Sequence, residues 1–273
     1  MYLEERMKRT TLGELGNHLP IPLEGNKDTS FTFKSWGLKE EKEINEIKRR
    51  TQYTGPFIAE VLVKMLERCA GEDFTKMEPH TAIYEIYKMP FMDVIYLWIY
   101  LRYDQLDPHL RLNITCPRCN RMNENIIASM DGLDVDVIEE GDSPHGEYEL
   151  KKQFKLEEDD ADVIKVIKLK RTPWACMEKT DDEVTTNQGM IMDVMFRHSI
   201  IGWDEEEGYA DFDKFNAKLR KIDFERLSNS IEVHNAGPTL AIEGKCKFCP
   251  SKFHQAMNWS YDSFFGSSSL PME

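Results

Sequence analysis

Two Cys-x-x-Cys pairs, Cys116-Pro-Arg-Cys119 and Cys246-Lys-Phe-Cys249, carry the clearest chemistry in this chain. Four thiolates arranged as two tight knuckles supply what a tetrahedral Zn²⁺ ion needs. A catalytic zinc keeps one position open for water, whereas four cysteines close the shell, so the expected cofactor is a structural Zn²⁺. The expected ligands are Cys116, Cys119, Cys246 and Cys249. Two local disulfides or unrelated free thiols are the alternatives. The 126 residues between the knuckles are unusual, because a free-standing zinc ribbon closes much sooner. Arg118, Arg121, Lys245, Lys247 and Lys252 flank the knuckles and could offset the charge of a four-thiolate site. The same cations could instead contact phosphates. His254 follows Cys249 by five positions and is expected on a strand face rather than as a ligand.

Other candidates are weaker. Asp131, Asp134 and Asp136, and the run Asp204 to Gly208, lack EF-hand ligand spacing, and Glu157 to Asp160 reads as a solvated turn. Cys69 and Cys176 read as core thiols, since no base can be assigned to either. There is no phosphate-binding loop, dinucleotide fingerprint, His-Glu-x-x-His or nucleophile elbow, so an enzymatic role has no support in the sequence.

The elements that must position the cysteines follow from periodicity. Leu110, Leu112 and Ile114 alternate with polar residues, the first knuckle follows, and Asn123 to Ile127 returns, which predicts a hairpin with two cysteines at its tip. Residues 239–257 repeat that pattern around the second knuckle. Residues 1–30 read as irregular, Ser30 to Lys34 as a strand and Lys39 to Arg50 as a charged helix. Pro56 opens a helix expected to run to about Cys69, and another starts near Pro79. The helix after Pro90 is apolar on nearly every face and belongs at the centre of a core. Residues 147–171 read as β structure. Thr180 to Glu183 resembles a capping box for a helix through Ile200, and Asp211 to Glu232 reads as one helix.

Composition sets the bounds. Of 273 residues, 41% are hydrophobic and 31% charged, a soluble globular balance. No apolar stretch approaches the ~20 residues needed to span a bilayer, and the N-terminus lacks a signal core, so a reducing cytosol is expected. The net charge of −14 argues against nucleic acid as the main partner.

In the order of its elements the chain resembles the T-even-type bacteriophage baseplate hub and hub-assembly family of contractile tails. Three segments carry the likeness. They are Leu19-Pro-Ile-Pro22 with Phe31 to Lys34 and the helix from Leu38; Met92-Asp93 through Tyr103 to Ile114-Thr-Cys-Pro-Arg-Cys119; and the second knuckle with the terminal Phe264-Phe265. The resemblance implies a non-enzymatic baseplate component or a chaperone for the hub. Its partners would be hub, spike or tape-measure proteins, and its place the host cytoplasm during assembly or the virion tail. Only the four cysteines carry over, as zinc ligands.

The expected fold is α+β: a helical N-terminal core (1–109), a split four-cysteine zinc ribbon (110–128 with 239–260), an inserted mixed α/β region (129–238) and a C-terminal tail (261–273). The tail aromatics Phe264 and Phe265 are expected either to anchor a partner or to pack in the core. The competing functional readings are a zinc-ribbon adaptor in nucleic-acid metabolism and a metal-dependent enzyme.

Overall fold

The computed structural model describes residues 7–22, 27–138, 145–156, 163–180, 188–203, 206–207, 212–257 and 265. Helices and strands are mixed along the chain, giving an α+β protein. The first part contains β1 (Met7–Thr11), α1 (Leu12–Leu15), β2 (Phe31–Phe33), α2 (Leu38–Arg50), α3 (Thr54–Met65), β3 (Leu66–Cys69), β4 (Glu72–Asp73), α4 (Pro79–Lys88) and α5 (Phe91–Gln105). The N-terminal stretch is more ordered than its sequence suggests. Thr11 and Glu14 form a reciprocal capping box that starts α1. β1 pairs with a strand more than a hundred residues away, described below.

The helix opened by the Thr54-Gly55-Pro56 turn ends at Met65, four residues before the expected Cys69. Leu66 to Cys69 instead pairs antiparallel with β2, Phe31 opposite Cys69 and Phe33 opposite Leu66. Ala70 and Gly71 then reverse the chain at positive φ, 50° and 81°, into β4. Strand pairing has overridden a helical pattern here.

α5 is buried on almost every side. Val94, Ile95, Tyr96, Leu97, Trp98 and Ile99 are all fully enclosed, as an all-round apolar helix must be. The Tyr96 hydroxyl finds the Gly16 carbonyl at 2.6 Å, and Trp98 meets Phe57 and Phe265 edge to face. At 15 residues α5 rises about 22 Å. Among the described residues no helix is long and apolar enough to cross a membrane.

The second part contains β5 (His109–Thr115), β6 (Met122–Ser129), β7 (Asp134–Ile138), β8 (His145–Phe154), β9 (Ile164–Lys170), a 3-10 turn (Trp174–Met177), α6 (Gln188–Ser199), β10 (Ile200–Trp203), β11 (Glu206–Glu207), α7 (Phe212–Lys218), α8 (Lys221–His234), β12 (Ala241–Lys245) and β13 (Lys252–Ala256). β8 to β11 form an antiparallel sheet in the order β11-β10-β9-β8. Asp223, buried near the start of α8, ties that helix to β8 by accepting from the Lys151 amide at 2.9 Å and the Tyr148 hydroxyl at 3.2 Å.

Two readings change. The stretch 211–232 is two helices, with Leu219 and Arg220 between them. Ile200 begins a strand rather than ending a helix. Asp134 and Asp136 lie in β7, which pairs with β1, and Asp136 accepts from Arg9 at 2.9 Å. The capping-box residues Asp181 to Glu183 and the acidic run Glu157 to Asp160 lie outside the described residues.

Segment 129–238 shares its hydrophobic cluster with the helices before it. Phe91 donates to the Thr172 carbonyl and Trp174 to that of Met89, at 2.7 and 2.8 Å. The Trp174 indole reaches the Gly55 carbonyl at 3.2 Å. α3 approaches the 3-10 turn so closely that a Cβ on Gly55 would stand 2.1 Å from the Met177 carbonyl oxygen.

Candidate metal centre

β5 and β6 form the first cysteine hairpin, with Ile114 opposite Asn123 and Thr115 opposite Met122. β12 and β13 form the second, with Lys245 opposite Lys252. Both tips close in the same way. The Cys116 amide donates to the Arg121 carbonyl at 2.9 Å, and the Cys246 amide donates to the Ser251 carbonyl at 3.0 Å. In each case the first cysteine bonds to the residue five positions later. Asn120, at φ 54°, takes the left-handed conformation that an asparagine tolerates and completes the first turn. On the second hairpin Phe253 covers the bare backbone of Gly244, where a Cβ would stand 2.4 Å from its ring.

The two tips meet. The sulfurs of Cys116 and Cys249 are 3.8 Å apart, and those of Cys119 and Cys246 are 3.6 Å apart. All four lie within 4.8 Å of one another. A tetrahedron of sulfurs around an ion at ~2.3 Å has edges of ~3.8 Å, so the observed pairs match a metal-sized gap. A disulfide would need ~2.05 Å. The four thiols are free, and these short contacts join one hairpin to the other. Among the described residues this is the one cluster of metal-ligating side chains.

The amides around the sulfurs begin the work of a cation. The Cys119 amide holds the Cys116 thiol below its usual range. Burial opposes ionisation of Cys246, yet the Phe248 amide, 3.4 Å from its sulfur, and the neighbouring Cys119 thiol prevail and bring it down to about 6. At Cys119 the Arg121 amide pulls downward, but burial and the other three cysteines lift it to about 11. One thiol ionises easily and its neighbour resists, because negative charge accumulates among the four sulfurs. A bound cation removes that resistance.

One residue of the site escapes a reading of the sequence. Asn123 is fully buried. Its Nδ2 donates to the carbonyls of Ile114 and Arg121, both at 3.2 Å, and its Oδ1 accepts from the Lys247 amide at 2.8 Å. A single side chain thus fixes the first knuckle and receives the second. The Lys247 ammonium adds a bond to the Glu124 carbonyl at 2.7 Å. The available signal was a polar residue at an inward position of a strand, opposite Ile114.

The remaining candidates stay apart from the site. Cys69 and Cys176 are buried, and burial raises both thiols, Cys176 to about 12. His254 sits on β13 opposite Glu243. Asp131 accepts from the Tyr103 and Ser129 hydroxyls. Phe265 packs in the core, stacked on Trp36 with ring centres 5.3 Å apart, which removes it as a docking anchor. Phe264 lies outside the described residues. Comparison with protein-family models, with characterised proteins and with solved structures finds no match for this chain.

Proposed function

We propose that Cys116, Cys119, Cys246 and Cys249 hold one structural Zn²⁺, in a non-enzymatic structural or assembly protein of a phage-like contractile-tail baseplate hub. The observation that carries the metal reading is the convergence of four sulfurs within 4.8 Å. Four soft thiolates in a tetrahedral set favour zinc, with iron as the other common occupant. Such a set leaves no position for water or substrate, which favours a structural role over a catalytic one. The assembly reading rests on the three segments that resemble the baseplate hub family. In it, a helical N-terminal core is closed by the split ribbon around residues 129–238, and hub, spike or tape-measure proteins are the partners.

Elemental analysis of the purified chain is expected to find one zinc per molecule, and none in Cys116→Ser or Cys249→Ser. A folded, metal-free chain with four titratable thiols at these positions overturns the metal reading. Co-expression with the hub, spike and tape-measure proteins of the same genome tests the assembly reading. Failure of all three to co-purify overturns it.

A further inference from the structure

The exposed end of the two cysteine hairpins differs in charge from the chain that carries it. Arg118, Arg121, Lys245, Lys247 and Lys252 are all exposed there, with the carboxylates of Glu124 and, two positions before Lys245, Glu243 beside them. The whole chain has a net charge of −14. Charge compensation of the sulfurs does not consume these cations. None of the five side chains donates to a cysteine sulfur; the bonds to the sulfurs come from backbone amides, those of Arg118 and Arg121 among them. Lys247 is committed to the Glu124 carbonyl. Arg118, Lys245 and Lys252 have no ion-pair partner among the described residues.

Apolar surface lies in the same place. Phe248, between the second pair of cysteines, is 51% exposed, and Met122 is 50% exposed. The Arg121 guanidinium lies 5.4 Å from the centre of the Phe248 ring, so ring and cation hold each other in place. An aromatic anchor ringed by basic side chains is a surface for a partner with a greasy residue and carboxylates. Arg121, steadied on the ring, presents the planar fork that takes a carboxylate in bidentate fashion.

We propose that this tip docks an acidic polypeptide segment bearing an apolar side chain, with Phe248 as the apolar contact and Arg118, Arg121, Lys245 and Lys252 as the charge contacts. The acidity of the rest of the chain selects this occupant over nucleic acid. A polynucleotide carries a charge at every phosphate and would run from the basic tip onto surface that repels it. A short acidic segment places its few charges on the tip alone. The inference rests on the metal reading only in that an ion would hold the tip together.

The test is fluorescence anisotropy with the metal-loaded full chain and two labelled probes, a synthetic peptide of alternating glutamate and leucine, and oligothymidylate. The expected result is saturable peptide binding, weakened about tenfold in Phe248→Ala and again in the pair Arg118→Glu with Lys252→Glu. Oligothymidylate is expected to bind less tightly than the peptide. Metal content, measured on each variant, separates a lost contact from a lost site, and Lys245→Glu stands in for any variant that loses its metal. No saturable peptide binding, peptide binding unchanged in the variants, or tighter binding of oligothymidylate overturns the proposal. Peptide binding by a wild-type chain that contains no metal would leave it standing while removing the zinc.

Discussion

The backbone amide of Lys247 donates to Oδ1 of Asn123 at 2.8 Å, although 124 positions separate the two residues. The same asparagine holds two carbonyls of its own hairpin through Nδ2. It therefore aligns the two knuckles before any ion is considered. The choice of an uncharged amide has a physical reason. An aspartate of the same shape could not donate to Ile114 and Arg121, and would add negative charge next to four sulfurs.

Asn123→Ala leaves an amide and two carbonyls without their partner in a buried place, at a cost of about 1–3 kcal/mol. Residues that orient metal ligands typically change affinity by about 10–100-fold when removed. Chelator competition is expected to show a loss of zinc affinity in that range for Asn123→Ala, and a loss at least as large for Asn123→Asp. A competition curve unmoved by both substitutions would show that the knuckles align without this residue.

Asp93 makes a different prediction. Its carboxyl is wholly buried at the start of α5, where Oδ1 accepts from the Ile21 amide at 3.0 Å. Burial raises its pKa well above the usual carboxylate range, against the smaller pull of the Ile21 amide and Arg171. The folded chain thus keeps this proton to higher pH than the unfolded chain. The resulting stability is complete below the unfolded value of about 4 and drains away as pH rises through the folded value. Asp93→Asn keeps an acceptor for Ile21 and removes the drain. Urea midpoints measured from about pH 4 to about pH 8 should show the variant gaining on the wild type as pH rises. A gap that stays constant, or narrows, contradicts the buried proton.

Phe265 is only 4% exposed and stacks on Trp36 while meeting Trp98 edge to face. Phe265→Ala is expected to cost about 3–5 kcal/mol, read as a lower urea midpoint. An unchanged midpoint would mean that the ring contributes no packing.

Much of this architecture could be read in order along the chain. The apolar run in α5, the proline before it and the two alternating stretches around the cysteines each declare themselves locally, through periods of 3.6 and 2. The four cysteines were legible for the same reason, since their spacing is a local signal. What escaped depends on distant partners. Met7 to Thr11 has no reason to be a strand until Asp134 to Ile138 lies beside it, and neither stretch declares itself alone. Leu66 continues the helical spacing of α3 and yet pairs with Phe33. Asn123 looks like any other strand asparagine until Lys247 arrives.

The matched turns at Cys116 and Cys246 also set an order in time. The first pair of cysteines leaves the ribosome 130 residues ahead of the second. At ~5–20 residues per second, one knuckle exists without its counterpart for roughly 6–25 s. During that interval β5 and β6 can pair and Asn123 can bind its own two carbonyls, while its Oδ1 waits. The nascent chain thus carries a half-built thiol site through the synthesis of everything from β7 to α8, and whatever shields those two sulfurs from oxidation must act on the ribosome-bound chain.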